Sequence, residues 1–281
     1  MDFYFSVLMS VYIKENPKYF DRALKSVIDD QILKPNEIVL VKDGPLNDEL
    51  ELIIEKWNRK YKNLFKVIPL EKNMGLGEAL RIGVENCSYE LIGRMDTDDI
   101  AKPERFQEQV EIFKKNRGID LVGSWIDEFW EVDNKIKVQK IRKVPESDGE
   151  IKEKLKFLNS FNHPTVMYKK NKVLEVGSYS EKYHLMEDYY LWVRMALNNC
   201  KFYNIQKSLL FFRTTPDTYK RRGGIKFIKA DVLFQTELLK IGFINIFEYL
   251  RNLFVRISFR IIPWQVRELL QKKLLRKNKG E

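Results

Sequence analysis

Cysteine is scarce in this chain. Cys87 and Cys200 stand in unrelated contexts among 281 residues, so neither a disulfide framework nor a zinc site can be assembled from them. Nothing in that usage calls for an oxidising compartment, and a cytosolic setting is the default expectation. Histidine is as rare: composition alone gives His163, next to Pro164, no role, and His184 is at most a group lining a cleft. Long apolar runs are missing too. No stretch reaches the roughly 18 uninterrupted apolar residues that cross a bilayer. The opening Met1-Asp2-Phe3-Tyr4-Phe5-Ser6-Val7 lacks a basic leader, and its apolar run is broken by Ser6 and Ser10. It reads as a first strand, not a signal peptide. There is no internal repeat and no low-complexity segment.

Apolar residues make up 44% of the chain and aromatic residues 13%, ample for one large domain or one domain plus an appendage. The net charge of +10 is unevenly spread. From Arg251 onward, Arg251, Arg256, Arg260, Arg267, Lys272, Lys273, Arg276, Lys277 and Lys279 face only Glu268 and Glu281. The same segment carries Leu253, Phe254, Val255, Ile257, Phe259, Ile261, Ile262, Trp264 and Val266. A segment both basic and greasy suits an anionic lipid interface better than a nucleic acid backbone.

The first two-thirds alternates strand-like and helix-like runs. Phe3 to Tyr12 reads as a strand. Pro17 opens a helix whose apolar residues Phe20, Ala23, Leu24, Val27 and Ile28 recur on one face. Strands are expected at Glu37 to Val41, Phe65 to Leu70 and Tyr89 to Gly93, with helices at Leu50 to Trp57, Leu76 to Glu85 and Pro103 to Phe113. That order predicts a mostly parallel sheet covered by helices on both faces. In such sheets ligands bind beyond the carboxyl ends of the strands, and Tyr12, Asp43 and the run Asp96 to Asp99 all fall there. Beyond residue 120, strands are expected at Leu121 to Trp130, Lys135 to Val144, Pro164 to Tyr168 and Phe202 to Phe212. Helices are expected at Ile151 to Leu158, Tyr189 to Leu197 and from Gly224 to the end, broken at Pro263.

The run Arg94-Met95-Asp96-Thr97-Asp98-Asp99 is the strongest chemical signal. Three carboxylates within four positions are costly unless a positive charge lies against them. A hard divalent cation that also grips substrate phosphates supplies one; a solvated acidic turn is the rival reading. Glu187-Asp188 opens the helix Tyr189 to Leu197, where acidic residues complement the positive helix end, or where one carboxylate acts as a general base. Asn73-Met74-Gly75-Leu76-Gly77, between strand and helix, is not the dinucleotide fingerprint, but its glycines allow backbone to approach a ligand. Arg213, Arg221 and Arg222 are candidate phosphate binders or a solvated basic loop.

In order, these motifs resemble a family. The segments Ser6 to Tyr12, Ile38 to Gly44, Asn73 to Gly83, Arg94 to Asp99 with Pro103 and Arg105, Asn162 to Met167 and Glu187 to Trp192 are similar to a family 2 glycosyltransferase of the GT-A fold, over roughly residues 3 to 215. Within the family the likeness is to bacterial exopolysaccharide and O-antigen transferases of the amylovoran type.

The resemblance implies an α/β fold, with a nucleotide-binding part at 1–120, an acceptor and catalytic part at 121–215, and a C-terminal basic amphipathic helical region at 216–281. It implies that Tyr12 and Asp43 hold the nucleotide base, that Asp96 and Asp98 are the DxD element for ribose and a Mn²⁺ or Mg²⁺ ion, and that Asp99 shares those duties. Asn73 and Arg94 fall on the donor side, and His163 near the cleft. Asp188 matches the catalytic base, with Glu187 beside it. Ile13 departs from the family, where Asn is common. The implied activity is inverting, metal-dependent hexosyl transfer from a UDP-sugar to a lipid-diphosphate-linked saccharide, at the inner face of a bacterial cytoplasmic membrane, with no nucleic acid partner. The alternatives are a nucleotidyltransferase-like enzyme, against which the loop Tyr12-Ile13-Lys14-Glu15 is neither Gly-rich nor basic enough, and a non-catalytic nucleotide-sugar binding module.

Overall fold

The computed structural model describes residues 3–132, 135–183, 185–214 and 225–261. The chain begins with β1 (Phe5–Val11), α1 (Pro17–Ile28), β2 (Glu37–Lys42), α2 (Asp48–Lys60), β3 (Phe65–Pro69), α3 (Leu76–Asn86) and β4 (Leu91–Arg94). β1 and β2 are buried along almost their whole length, and their apolar residues feed the cores on both faces of the sheet. α1 starts where Asn16 accepts the backbone N–H groups of Lys18 and Tyr19 and Pro17 fills the first turn, and it buries the five apolar residues that its periodicity marks.

The remaining elements are β5 (Ile100–Ala101), α4 (Arg105–Lys115), β6 (Leu121–Val132), β7 (Lys135–Arg142), α5 (Asp148–Leu155), β8 (Met167–Lys169), α6 (Lys170–Glu175), α7 (Glu187–Leu197), β9 (Phe202–Arg213), α8 (Ile225–Lys240) and α9 (Ile246–Ile261). One sheet runs in the order β3-β2-β1-β4-β8-β6-β9-β5, with β7 on the side of β6. The half β3-β2-β1-β4 is parallel throughout, as the alternating pattern requires. Beyond it the sheet is mixed: β8 is antiparallel to both β4 and β6, while β6 and β9 are parallel. Pro164 sits in a 3-10 turn, His163–Thr165, so the expected strand from Pro164 shrinks to Met167–Lys169.

The C-terminal hairpin is part of this body. Phe234 and Leu238 of α8, and Ile244, share one core with Val39, Val84, Tyr189 and Trp192. Asp231, fully buried, takes Arg256 at 2.7 Å and Arg260 at 3.0 Å, which locks α9 onto α8. The helices separate at Gly242, whose φ of +70° suits glycine. The break expected at Pro263 lies outside the described residues, as do His184, Arg221 and Arg222.

α3 reaches the sheet because Gly83 has no side chain: a Cβ there would lie 2.3 Å from Leu8 Cδ1 and 3.1 Å from Val41 Cγ2. Gly83→Ala is expected to lower stability by about 1–3 kcal/mol through overpacking. Urea unfolding checks this: the midpoint should fall at constant slope, and an unmoved midpoint would show that α3 is free to shift.

Candidate active site

The parallel half ends in three loops that converge. Asp43 follows β2, and its N–H donates to the Val11 carbonyl at 2.8 Å, tying it to the end of β1. Its buried carboxylate accepts from the Met74 N–H at 2.6 Å, the Gly75 N–H at 3.1 Å and the Asn73 amide at 3.0 Å. Gly44 permits this closeness: its φ is +89°, and a Cβ there would stand 2.7 Å from the Asn73 nitrogen. Asp43 and Asn73, paired only by resemblance in the sequence, are thus in direct contact. Tyr12 lies exposed at the end of β1.

The acidic loop follows β4. Arg94, 2% exposed, forms an ion pair with Asp96. Asp99 is fully buried; one carboxylate oxygen accepts the Arg213 N–H at 2.8 Å and the other, Oδ2, has no partner. One oxygen from each of Asp96, Asp98 and Asp99 lies within 4.8 Å of the others. Burial, then Asp96, pushes the Asp98 carboxyl up to about 6, and burial with Asp98 and Asp96 pushes Asp99 well above the usual range. Three oxygens drawn together against their own repulsion, one of them buried without a donor, fit a hard divalent cation.

On this loop's border one group, Glu15, was given no role by the sequence, and another, Arg213, takes a different one. Glu15, in the loop after β1, is hydrogen-bonded to Thr97 and pushed up to about 7 by burial, with Asp98 and Asp96 adding to the rise. Its place just past a strand end was the available signal. Arg213 is neither solvated nor free to reach out, as was expected of the basic cluster. Its guanidinium stands 3.6 Å from the Tyr19 ring centre, pairs with Glu131 at 2.6 Å and donates from Nε to the Asp98 carbonyl at 2.9 Å. It braces the acidic loop from behind.

Asp188 stands in the first turn of α7. The Tyr189 N–H donates to its Oδ1 at 2.7 Å and the Asn159 amide to its Oδ2 at 2.7 Å. Burial raises its pKa and Glu187 adds to the rise, while the two hydrogen bonds and Arg94 pull it down. Glu187 lies across the start of α3, where a Cβ on Gly77 would come 3.1 Å from its Cγ. His163 Nε2 is 3.0 Å from the Tyr179 hydroxyl; burial, then Arg94, holds its pKa well below the usual value, so the ring is neutral.

Arg94 is the common neighbour. Its charge acts on Asp98, Asp99, Asp188, Tyr179 and His163, and Tyr179 in turn feels both Asp188 and Asp96. The two acidic sites, far apart in the chain, therefore share one buried cation. Asp43, Asn73 and Tyr12 gather at the neighbouring strand ends.

Comparison with known proteins identifies the family. The profile of the family described as "Glycosyl transferase family 2" matches residues 6–177. The chain is 37% identical over 97% of its length, and 97% of the other chain, to "UDP-Gal:alpha-D-GlcNAc-diphosphoundecaprenol beta-1,3-galactosyltransferase" of Escherichia coli. It is 36% identical over 96% of its length, and 98% of the relative, to "Amylovoran biosynthesis glycosyltransferase AmsE" of Erwinia amylovora. Among solved structures, S. aureus TarS 1–349 in complex with UDP-GlcNAc superposes with a TM-score of 0.62 at 21% identity, over 84% of this chain and 66% of that one. This likeness carries the fold, which is GT-A. With the family profile spanning most of the catalytic body and the relatives matching nearly end to end, the chain belongs to glycosyl transferase family 2 and is a glycosyltransferase.

Proposed function

We propose that this enzyme moves a hexose, with galactose the first candidate, from a UDP-sugar to a hydroxyl of a lipid-diphosphate-linked saccharide in bacterial surface polysaccharide assembly, with inversion. The observation that carries the reading is the cluster of Asp96, Asp98 and Asp99, one oxygen of each within 4.8 Å of the others, beside the buried Arg94 that pairs with Asp96. The donor and acceptor classes rest on the printed activity of the 37% identical relative, named for UDP-Gal and GlcNAc-diphosphoundecaprenol.

In this reading Tyr12, exposed at the end of β1, and Asp43, fixed by Asn73, Met74 and Gly75, hold the base. Asp96, Asp98 and Asp99 hold Mn²⁺ or Mg²⁺, which when bound supplies Lewis-acid stabilisation of charge developing on the leaving diphosphate. Asp188 receives the proton of the acceptor hydroxyl as that oxygen attacks the anomeric carbon from the face opposite the diphosphate. A single displacement inverts that centre, so an α-linked donor gives a β linkage. Burial suits Asp188 to proton transfer, since a carboxyl with a raised pKa takes a proton more readily than an exposed one. Neutral His163 and Tyr179 line the same centre without adding charge.

The membrane part of the proposal places the enzyme at the cytoplasmic face, on the surface of the bilayer. No helix among the described residues is long and apolar enough to cross one. α9 presents Phe247, Leu250 and Phe254, exposed by 80%, 56% and 75%, along one stripe beside exposed Arg251. An apolar stripe flanked by basic charge is the pattern of an interfacial helix.

Three outcomes follow. Asp188→Asn is expected to keep Mn²⁺-dependent UDP binding within about twofold and to lose turnover by about 10²–10⁴-fold. UDP release from UDP-galactose with a synthetic GlcNAc-diphospholipid checks this, and full activity would remove Asp188 from the role of base. Because Asp98 titrates at about 6, protons compete with the cation below that value. Mn²⁺ affinity should fall as pH drops through 6, and the raised Asp99 carboxyl extends the fall in the same direction; calorimetry showing no fall would separate Asp98 from the cation. Changing Phe247, Leu250 and Phe254 together to Ser should cut partition onto anionic vesicles in flotation, and unchanged partition would take α9 out of contact with lipid.

A further inference from the structure

The loop that leaves α5 makes a chain of contacts that nothing in the sequence pattern announces. At its far end, Asn159 donates from Nδ2 to Oδ2 of Asp188 at 2.7 Å. The orientation of that amide is set from its other side, where Oδ1 accepts the Phe161 N–H at 3.1 Å. Just before Asn159, the loop carbonyls are taken by α9. Asn252, fully buried, donates to the Lys156 carbonyl at 2.7 Å and to Gln235 at 2.8 Å. Arg256 donates to the Phe157 carbonyl at 2.7 Å, and the Arg251 guanidinium lies 5.2 Å from the Phe157 ring centre. From the base side, the Tyr189 hydroxyl donates to the Leu155 carbonyl at 2.6 Å. The loop is therefore stapled to the C-terminal hairpin at two successive carbonyls and to α7 at both ends.

We propose that Asn159 is the positioning residue of the base Asp188, and that α9 holds Asn159 in place, so that the C-terminal hairpin acts on turnover while leaving donor binding alone. The proposal rests on the reading of Asp188 as base. Its physics is that of any general base with an orienting partner: a carboxylate fixed by one donor on each oxygen keeps its remaining lone pairs aimed at one place. The Asn159 amide also stabilises the ionised form, against burial and Glu187. The charged and titratable groups facing Asp188 are Glu187 on its own helix, Arg94 from β4, Tyr179 and Tyr189. None of them replaces a neutral donor on Oδ2. Without Asn159 the carboxylate loses a hydrogen bond that favours its charged form, so its pKa rises and the acid limb of the rate profile moves to higher pH.

The test uses the full-length chain with Mn²⁺, UDP-galactose and a synthetic GlcNAc-diphospholipid. For Asn159→Ala, kcat should fall about 10- to 100-fold, KM for UDP-galactose should stay within about twofold, and the acid limb of kcat should move up by about one pH unit. Mn²⁺-dependent UDP binding by calorimetry should match the parent, which separates the effect from misfolding. Asn252→Ala, far from the substrate, should give the same split at smaller size, and the double variant should lose less than the product of the two single losses, because both act through one loop. Asn159→Ala with unchanged kcat and unchanged acid limb, beside an inactive Asp188→Asn, overturns the positioning role alone. An active Asp188→Asn removes the base assignment and the proposal with it.

Discussion

Arg94 stands at the last position of β4 with its guanidinium sealed from water, one ion pair to Asp96, and two further nitrogens without a hydrogen-bond partner. A buried cation of this kind is tolerable only where negative charge surrounds it. That requirement is met by the loop Asp96–Asp99, with Asp96 in an ion pair and Asp99 close enough to act on the same guanidinium. The same requirement works in reverse: three carboxylates crowded past a strand end would repel one another apart without a positive charge beneath them. The site is thus built around a charge that is itself hidden from substrate. Arg105, also fully buried, adds a second positive group; it donates to the Arg94 carbonyl at 2.6 Å and so fixes the strand end from which the acidic loop departs.

The loops of the parallel half bring the other groups to the same edge. Their strands all point one way, so residues that follow β1, β2 and β4 arrive side by side. Two glycines set the fit. Gly44 lets the Asp43 turn lie against Asn73, and Gly77 lets Glu187 of α7 cross the start of α3. The second contact seats the first turn of α7 directly on the start of α3. The mixed half of the sheet supplies what the parallel half lacks: β9 ends at Arg213, whose backbone and side chain hold Asp99 and Asp98 from behind.

The C-terminal hairpin belongs to this organisation. Its inner face continues the core around Tyr189 and Trp192 and stitches itself to the loop beside the base, while its outer stripe of Phe247, Leu250 and Phe254 faces away. One helix pair thereby connects an exposed apolar stripe with the loop that carries Asn159.

Local physics made much of this legible in the sequence. The period of α1, the apolar runs of β1 and β2, and the acidic run after β4 depend on neighbours a few residues apart, so helices, strands and the candidate cation site could be read residue by residue. The resemblance to a family gave roles to Asp43, Asn73, His163 and Asp188, whose types alone are ambiguous. What only the tertiary structure decided are the pairings between distant segments. Arg213 reaches Asp99 across 114 positions and Asn159 reaches Asp188 across 29, and nothing in either segment's composition selects its partner. The 3-10 turn at His163–Thr165 belongs to the same class, since a short apolar run after proline looks like a strand until its hydrogen-bond partners are known. Sequence settles which groups are available; packing settles which of them meet, because burial, charge balance and hydrogen bonding are satisfied only once the whole chain has closed.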